Sequence, residues 1–241
     1  MEMQFQSKTV TTQPASIPSY EQAVGGSFGQ DHLAAILGNL QEVHLHRRLY
    51  GNHHYEIKDK ANKRLFYGTE GFQMAENTTY EHQVSFHIEN GPVCFIVRRP
   101  LTWTRGCCCC AGEGGCCQIN MSTSTADFTT LGKVSQLKTN CSRHYNVKDA
   151  YNTSKFVVKG PCCVVKGGGV SRDFPFDIVT HKTGAIKQNE ETVVGQIIKC
   201  YSEFMLEATA TGTNFTVKCK FYCLTSLIGI ANSVVLDLLS S

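Results

Sequence analysis

The residues with the most chemistry to offer are cysteines. The chain of 241 residues holds 13 of them, an odd number, and several stand side by side: Cys107, Cys108, Cys109 and Cys110, then Cys116 with Cys117, and Cys162 with Cys163. Neighbouring Cα atoms sit ~3.8 Å apart, short of the ~4.4 Å that a disulfide normally requires. Adjacent cysteines therefore do not bridge one another, and the pattern does not read as a secreted disulfide framework. A reducing compartment is the expected home. The cluster 107–117 follows Pro100 and is interleaved with Gly112, Gly114 and Gly115, the composition of an exposed loop. Clustered thiols on a membrane-facing loop suit S-acylation, and Trp103 and Arg105 beside them suit an interfacial position. Two alternatives stand beside that reading. Cys107 and Cys110 have Cys-x-x-Cys spacing and Cys116 could add a third thiolate for zinc or an iron–sulfur cluster, although no second knuckle follows. The cluster could also be a tolerated loop with no role.

Other chemistry is sparse. His44, His46, His53 and His54 could hold a metal only if the fold converged them; a solvated loop is the plainer expectation. Cys141 and His144 read as turn residues rather than a nucleophile pair. The stretch KGGGVS at 166–171 has the wrong spacing for a phosphate cradle. There is no Gly-x-Ser-x-Gly elbow and no His-Glu-x-x-His, so no covalent catalysis is expected. The net charge of +3 argues against nucleic acid as a partner, but it is compatible with an anionic membrane surface.

These residues need a scaffold, and the sequence supplies a β-rich one. Residues 1–30 are polar, with no apolar run of the secretory kind, and are expected to be a disordered tail. The five Asn-x-Ser/Thr sequons are accordingly expected to carry no glycan. Residues 31–241 form the domain. Asp31 suits an N-cap, and Leu33, Ile36, Leu37 and Leu40 fall on one helical face that would cover an opening. From Tyr55 the texture is β. Three segments share an aromatic-x-Ile core: Tyr55 to Ile57, Phe86 to Ile88 and Phe176 to Ile178. Asn90-Gly91 signals a type I′ hairpin, with Val93 to Val97 as the return strand stopped by Pro100. Further strands are read at 156–158, 164–165 and 193–198. Such hairpins are best closed into a barrel, because closure removes exposed edges. The C-terminal run 221–239 is nearly continuously apolar and reads as a helix, with Phe221, Leu224, Leu227, Ile228, Ile230, Val234, Val235 and Leu238 as its apolar positions. A bilayer span takes about 20 apolar residues. The run could therefore fill the barrel or anchor the chain, and burial is favoured.

Taken together, NHHYEIKDKANKRLFYGTEG (52–71), RRPLTWTRGCCCCAGEGGCCQI (98–119), VKGPCC (158–163), VVGQIIKCYSEFMLEA (193–208), the pair Asn214-Phe215 and the apolar tail with Asp237 resemble the phospholipid scramblase family. The resemblance runs from about His32 to Leu239. It implies a tubby-like fold: an all-β closed antiparallel barrel with the C-terminal helix through its centre. It also implies calcium-dependent, ATP-independent, bidirectional movement of phospholipids between leaflets, palmitoylation, and nuclear roles for some members. The implied acyl acceptors are Cys107, Cys108, Cys109, Cys110, Cys116 and Cys117. The implied location is the cytoplasmic face of the plasma membrane, held by acyl chains or by the terminal helix, with phospholipids, further proteins and other copies of the chain as partners. The alternative function is an acylated peripheral adaptor or lipid-binding scaffold. Calcium is the cofactor that the resemblance implies, and here the chain departs from the pattern. The family's acidic loop would fall at 208–223, where Thr211, Thr213, Asn214 and Tyr222 stand, with Lys218 and Lys220 nearby and no carboxylate. Calcium wants six to eight oxygens, several of them carboxylate, so weak or absent binding is expected.

Overall fold

A computed structural model of the chain describes residues 33, 36–38, 40–48, 54–74, 80–89, 91–100, 118–139, 142–161, 173–180, 192–200 and 213–219. Within them lie twelve strands: β1 (Glu42–Arg48), β2 (His54–Asp59), β3 (Arg64–Met74), β4 (Tyr80–His87), β5 (Val93–Pro100), β6 (Asn120–Thr125), β7 (Thr130–Leu137), β8 (His144–Asp149), β9 (Ser154–Lys159), β10 (Phe174–Thr180), β11 (Val193–Cys200) and β12 (Thr213–Cys219). Each pairs antiparallel with its neighbours in sequence, and β1 pairs with β12 to close the barrel. The expected meander is thus observed, with no free edge left to aggregate.

Period-two alternation decides which side chains enter the lumen. Leu45 stands between Ile57 and Phe215 on adjacent strands, and Ile57 opposes Phe66. Tyr55, Phe66, Phe86 and Phe95 form an aromatic ladder. Phe86 and Phe95 stack at 4.6 Å, Phe66 meets Phe95 edge-on at 5.5 Å, and Tyr55 tilts over Phe86 at 6.2 Å. Such pairs add about 0.5–1.5 kcal/mol beyond their buried area. Gly68 makes this possible: a Cβ there would come within 2.9 Å of the Phe86 ring. Cys94 and Cys219 are buried in the same core and act as small apolar side chains. Burial raises the Cys94 thiol to about 11, so it stays protonated and unreactive.

Leu33, Ile36 and Leu37 are helical, and Leu33 and Leu37 are buried in the core, as the apolar face of that segment predicts. The three aromatic-x-Ile segments place Tyr55, Phe86 and Phe176 inward. Other expectations are corrected. The hairpin is not a two-residue turn at Asn90-Gly91: Gly91 N–H donates to Ile88 O at 3.0 Å, and the strands close only at His87 and Val93. The reason is Pro92, which has no N–H to close a turn one residue later. His44 and His46 are not loop residues but outward positions of β1, and His144 opens β8. The stretch read as a loop, 208–223, contains β12, with Phe215, Val217 and Cys219 inward. The tail 1–30, Val164 and Val165, and the apolar run 221–239 lie outside the described residues. No helix among those residues is long and apolar enough to cross a membrane.

Candidate functional site

A meander of even strand number sorts every connection to one of two rims. One rim receives the β1–β2, β3–β4, β5–β6, β7–β8, β9–β10 and β11–β12 connections. The other receives the remaining hairpin turns, the approach to β1 and the exit from β12. The strand ends flanking 101–119 and 160–173 therefore belong to the same rim. Those connections carry Cys107, Cys108, Cys109, Cys110, Cys116 and Cys117, and also Cys162 and Cys163. The cysteines themselves lie outside the described residues. The exit from β12 towards 221–239, which holds Phe221, Leu224, Leu227, Ile228, Ile230, Val234, Val235 and Leu238, is at the opposite rim.

The mouth of the lumen on the cysteine side holds a polar network that the sequence reading missed. Arg47, in phase with Val43 and Leu45, points inward and reaches the Glu70 carboxylate at 3.4 Å. Tyr55 Oη donates to the same carboxylate, and His82 Nε2 lies 3.5 Å from it. The Arg47 guanidinium also sits over the Tyr55 ring, 5.7 Å from its centre. Burial alone would raise the Glu70 carboxyl, but the hydrogen bonds from His82 and Tyr55 and the nearby charges of His82 and Arg47 hold it below its ordinary value. Burial, then the bond to Glu70, pushes the Tyr55 hydroxyl well above its ordinary range. The network fixes β1, β2, β3 and β4 to one another where the lumen opens. Across the barrel, the amide of Gln136 on β7 is buried with no partner for its nitrogen or its oxygen, a state that costs about 1–3 kcal/mol if nothing answers it.

The positions matching the family's calcium loop divide. Thr211 and Tyr222 lie outside the described residues. Thr213 and Asn214 open β12, and the Asn214 side-chain oxygen is hydrogen-bonded to His46 Nδ1 across the strand pair. The next outward residue, Thr216, is bonded to His44 Nδ1 at 3.1 Å and lies 3.5 Å from Cys200 Sγ. An extended strand whose oxygens are engaged with histidines does not wrap a cation, and the acids of the adjoining strands are engaged with cations: Glu56, opposite His46, has Lys58 at 3.1 Å, and Glu42 has Lys218 at 3.7 Å. The described part of the stretch, Thr213–Cys219, offers no carboxylate to a calcium ion. Among the described residues no group of three or more His, Cys, Asp or Glu side chains could hold a metal.

The family model described as Scramblase matches residues 49–237, from the approach to β2 to a point beyond β12. The chain belongs to the scramblase family. A curated relative, human phospholipid scramblase 2, is 25% identical over 169 residues, which cover 68% of this chain and 51% of that protein. This scramblase-family chain thus matches about half the length of that relative. A solved structure of a protein from Arabidopsis thaliana is loosely similar, with a TM-score of 0.41 and 13% identity over 88% of this chain and 99% of its own.

Proposed function

We propose that this protein moves phospholipids between membrane leaflets without ATP and without covalent chemistry, from the cytoplasmic face of the plasma membrane. The observation that carries the proposal is the family match, which spans β2 to β12 together with the cysteine-bearing connection. The physical task is to lower the cost of taking a headgroup through hydrocarbon, where an unsolvated charge is expensive. That needs a polar path or local thinning of the bilayer, not a catalytic residue. Reconstitution of the full chain into liposomes with labelled lipid in one leaflet tests it. Loss of asymmetry without ATP is the expected result; retained asymmetry at high protein density would refute it.

A second reading, an acylated peripheral scaffold that binds lipids or proteins, is favoured by one observation. The inward side chains are almost without exposure, with Phe66, Val84, Phe86, Phe95 and Ile197 at 0%. The lumen is therefore no aqueous route for a headgroup. About eight strands enclose a space that side chains alone can fill, and twelve enclose more. We infer that the apolar segment 221–239 supplies the remainder, and that its polar positions, Thr225, Ser226, Asn232 and Ser233, can answer groups such as Gln136. Membrane attachment then comes from thioester-linked acyl chains on Cys107, Cys108, Cys109, Cys110, Cys116 and Cys117. A single chain holds weakly, whereas two or more anchor stably. Extraction at alkaline pH of a variant with all six cysteines changed to serine tests the arrangement. Release into the soluble fraction is expected; retention would make 221–239 the anchor.

We further propose that lipid movement is not triggered by calcium through residues 208–223. Asn214 is committed to His46, and no carboxylate stands in the stretch. Calorimetry should find no binding at about 10⁻⁷ to 10⁻⁵ M, the range of sensor sites.

A further inference from the structure

We propose that the outer wall of β5 to β8 is the surface that meets an anionic leaflet, and that a row of cations on it binds headgroup phosphates. The inference deepens the reading of a membrane protein and rests on it. Its basis is the strand register. Gln83 on β4 opposes Arg98 on β5, Arg98 opposes Ser122 on β6, Ser122 opposes Lys133 on β7, and Lys133 opposes Lys148 on β8. Arg98, Ser122, Lys133 and Lys148 face outward, because their strand neighbours Val97, Met121, Thr123, Val134 and Val147 are buried on the lumen side. One row across adjacent strands thus holds three cations and no carboxylate. Neighbouring strands lie ~4.8 Å apart, so the row from Arg98 to Lys148 spans ~14 Å. Among the described residues none of the three cations forms an ion pair. The nearby acids are engaged elsewhere: Asp149 has Lys155 at 3.2 Å, and Asp127 accepts from the hydroxyls of Thr125 and Thr129. Glu81 stands opposite Pro100 and makes no ion pair with Arg98. On the wall of β12, β1 and β2 the cations are answered, Lys218 by Glu42 at 3.7 Å and Lys58 by Glu56 at 3.1 Å. Lys60, Lys63 and Lys138 also form no ion pair among the described residues, but they lie in connections between strands.

The fold gains nothing from this row. Like charges directly opposite each other on paired strands are destabilising, and Lys133 and Lys148 are such a pair. A phosphate between them turns that repulsion into attraction. Arg98 is oriented for the same task. Its Nε donates to Gln83 at 3.4 Å, its Nη1 donates to Ser124 at 3.2 Å, and the guanidinium lies 4.9 Å from the Phe128 ring centre. These neutral partners fix the fork and leave its charge unspent, and guanidinium forks match phosphate oxygens. Ser122, between Arg98 and Lys133, adds a hydroxyl. The outer wall of a barrel is convex, which suits a surface of headgroups rather than one small anion. The tips beside the row carry aromatic rings: Phe128, 52% exposed, between β6 and β7, and Tyr151, 90% exposed, between β8 and β9. Cations beside aromatic rings are the composition of a membrane interface. β5 and β6 are also the strands joined by 101–119, so acyl chains on that connection and this wall can reach one leaflet.

The test uses the full-length chain with the six cluster cysteines changed to serine, so that no acyl chain contributes. It is floated with phosphatidylcholine vesicles and with vesicles that also contain phosphatidylserine. Binding should require phosphatidylserine and fall as salt rises. Lys133→Gln with Lys148→Gln should weaken it about thirty-fold, and should not lower the melting temperature, because a like-charge pair is removed. Lys60→Gln with Lys63→Gln, which removes the same charge from the turn between β2 and β3, should leave binding unaltered. Equal or greater loss from the Lys60 and Lys63 pair would overturn the proposal, and so would binding indifferent to phosphatidylserine. Calorimetry with inorganic phosphate should show no saturable binding; binding that disappears with Lys133 and Lys148 would put a small anion in place of the leaflet and overturn it too. Failure here is distinguishable from failure of the scrambling activity. A chain that scrambles yet ignores Lys133 and Lys148 refutes the wall alone, and one that binds through them yet leaves lipid asymmetry intact refutes the activity alone.

Discussion

At the rim where both ends of the barrel sequence emerge, three turns share one hydrogen-bond pattern. Asp59 N–H donates to Lys63 O, Thr125 N–H to Thr129 O and Asp149 N–H to Thr153 O, and Asn62, Phe128 and Asn152 each take a left-handed φ of 63–64°. Their acids are consumed locally: Asp149 accepts from Tyr151 N–H and Thr153 N–H, and Asp59 accepts from Lys63 N–H. The cysteine rim is joined instead by connections such as 101–119 and 160–173, whose sequences hold the clustered cysteines. One rim is closed by its own turn chemistry; the connections of the other carry thiols that a turn does not require. Features of that second kind mark binding surfaces.

The largest effect expected from breaking this contrast is on attachment. Replacing Cys107, Cys108, Cys109, Cys110, Cys116 and Cys117 with serine should abolish hydroxylamine-sensitive fatty acid and move most of the chain to the soluble fraction. Alkynyl-palmitate labelling that persists in the variant would remove the cysteine rim's claim. Truncating the lumen comes next. Phe86→Ala, which deletes a ring stacked on Phe95 and tilted against Tyr55, should cost about 3–5 kcal/mol in denaturant unfolding. Tyr151→Ala, at an exposed tip, should stay within about 0.5 kcal/mol. A comparable loss at both sites would mean that the barrel interior is not the core.

Acid sharpens the comparison at the lumen mouth. The Glu70 carboxyl titrates below its ordinary 4.5 in the folded chain. Its contribution is therefore present in full above that value and is lost as pH falls through the lower, folded one. The melting-temperature gap between wild type and Glu70→Gln should be widest near neutrality and should narrow below pH 4.5. A gap that widens on acidification would contradict the Arg47–Tyr55–Glu70–His82 network. The smallest effect concerns Phe128, a bulky side chain at a left-handed position where the two sister turns carry Asn. The Arg98 guanidinium lies 4.9 Å from its ring centre and offsets part of that cost. In an Arg98→Gln background, Phe128→Asn should raise stability by about 1 kcal/mol; a loss would show that the tip is not strained.

Much of the barrel was legible where large apolar residues alternate. Tyr55 and Ile57, Phe86, Phe95 and Val97, and Phe176 and Ile178 all point where their period-two pattern places them. β6 was not legible. Its buried side chains include Thr123, Ser124 and Thr125, at 2–4% exposure, so hydroxyl residues fill core positions and hide the alternation. β1 and β12 were legible in principle. Val43 and Leu45 alternate with His44 and His46, as Phe215 and Val217 do with Asn214 and Thr216. The histidines of one strand and the polar residues of the other obscure that alternation.

The sequence by itself determined the strand-forming segments, the family, and the impossibility of pairing adjacent cysteines, because each follows from local covalent geometry or from the order of residue types. Only the tertiary structure decided which residues share a rim, a lumen or a network. An even count of antiparallel strands, closed by β1 against β12, sends the cysteine connection and the apolar C-terminal run to opposite ends. It also brings Asn214 to His46, 168 positions apart in the chain. Those neighbours are products of closure, a long-range event that no local pattern of hydrophobicity encodes.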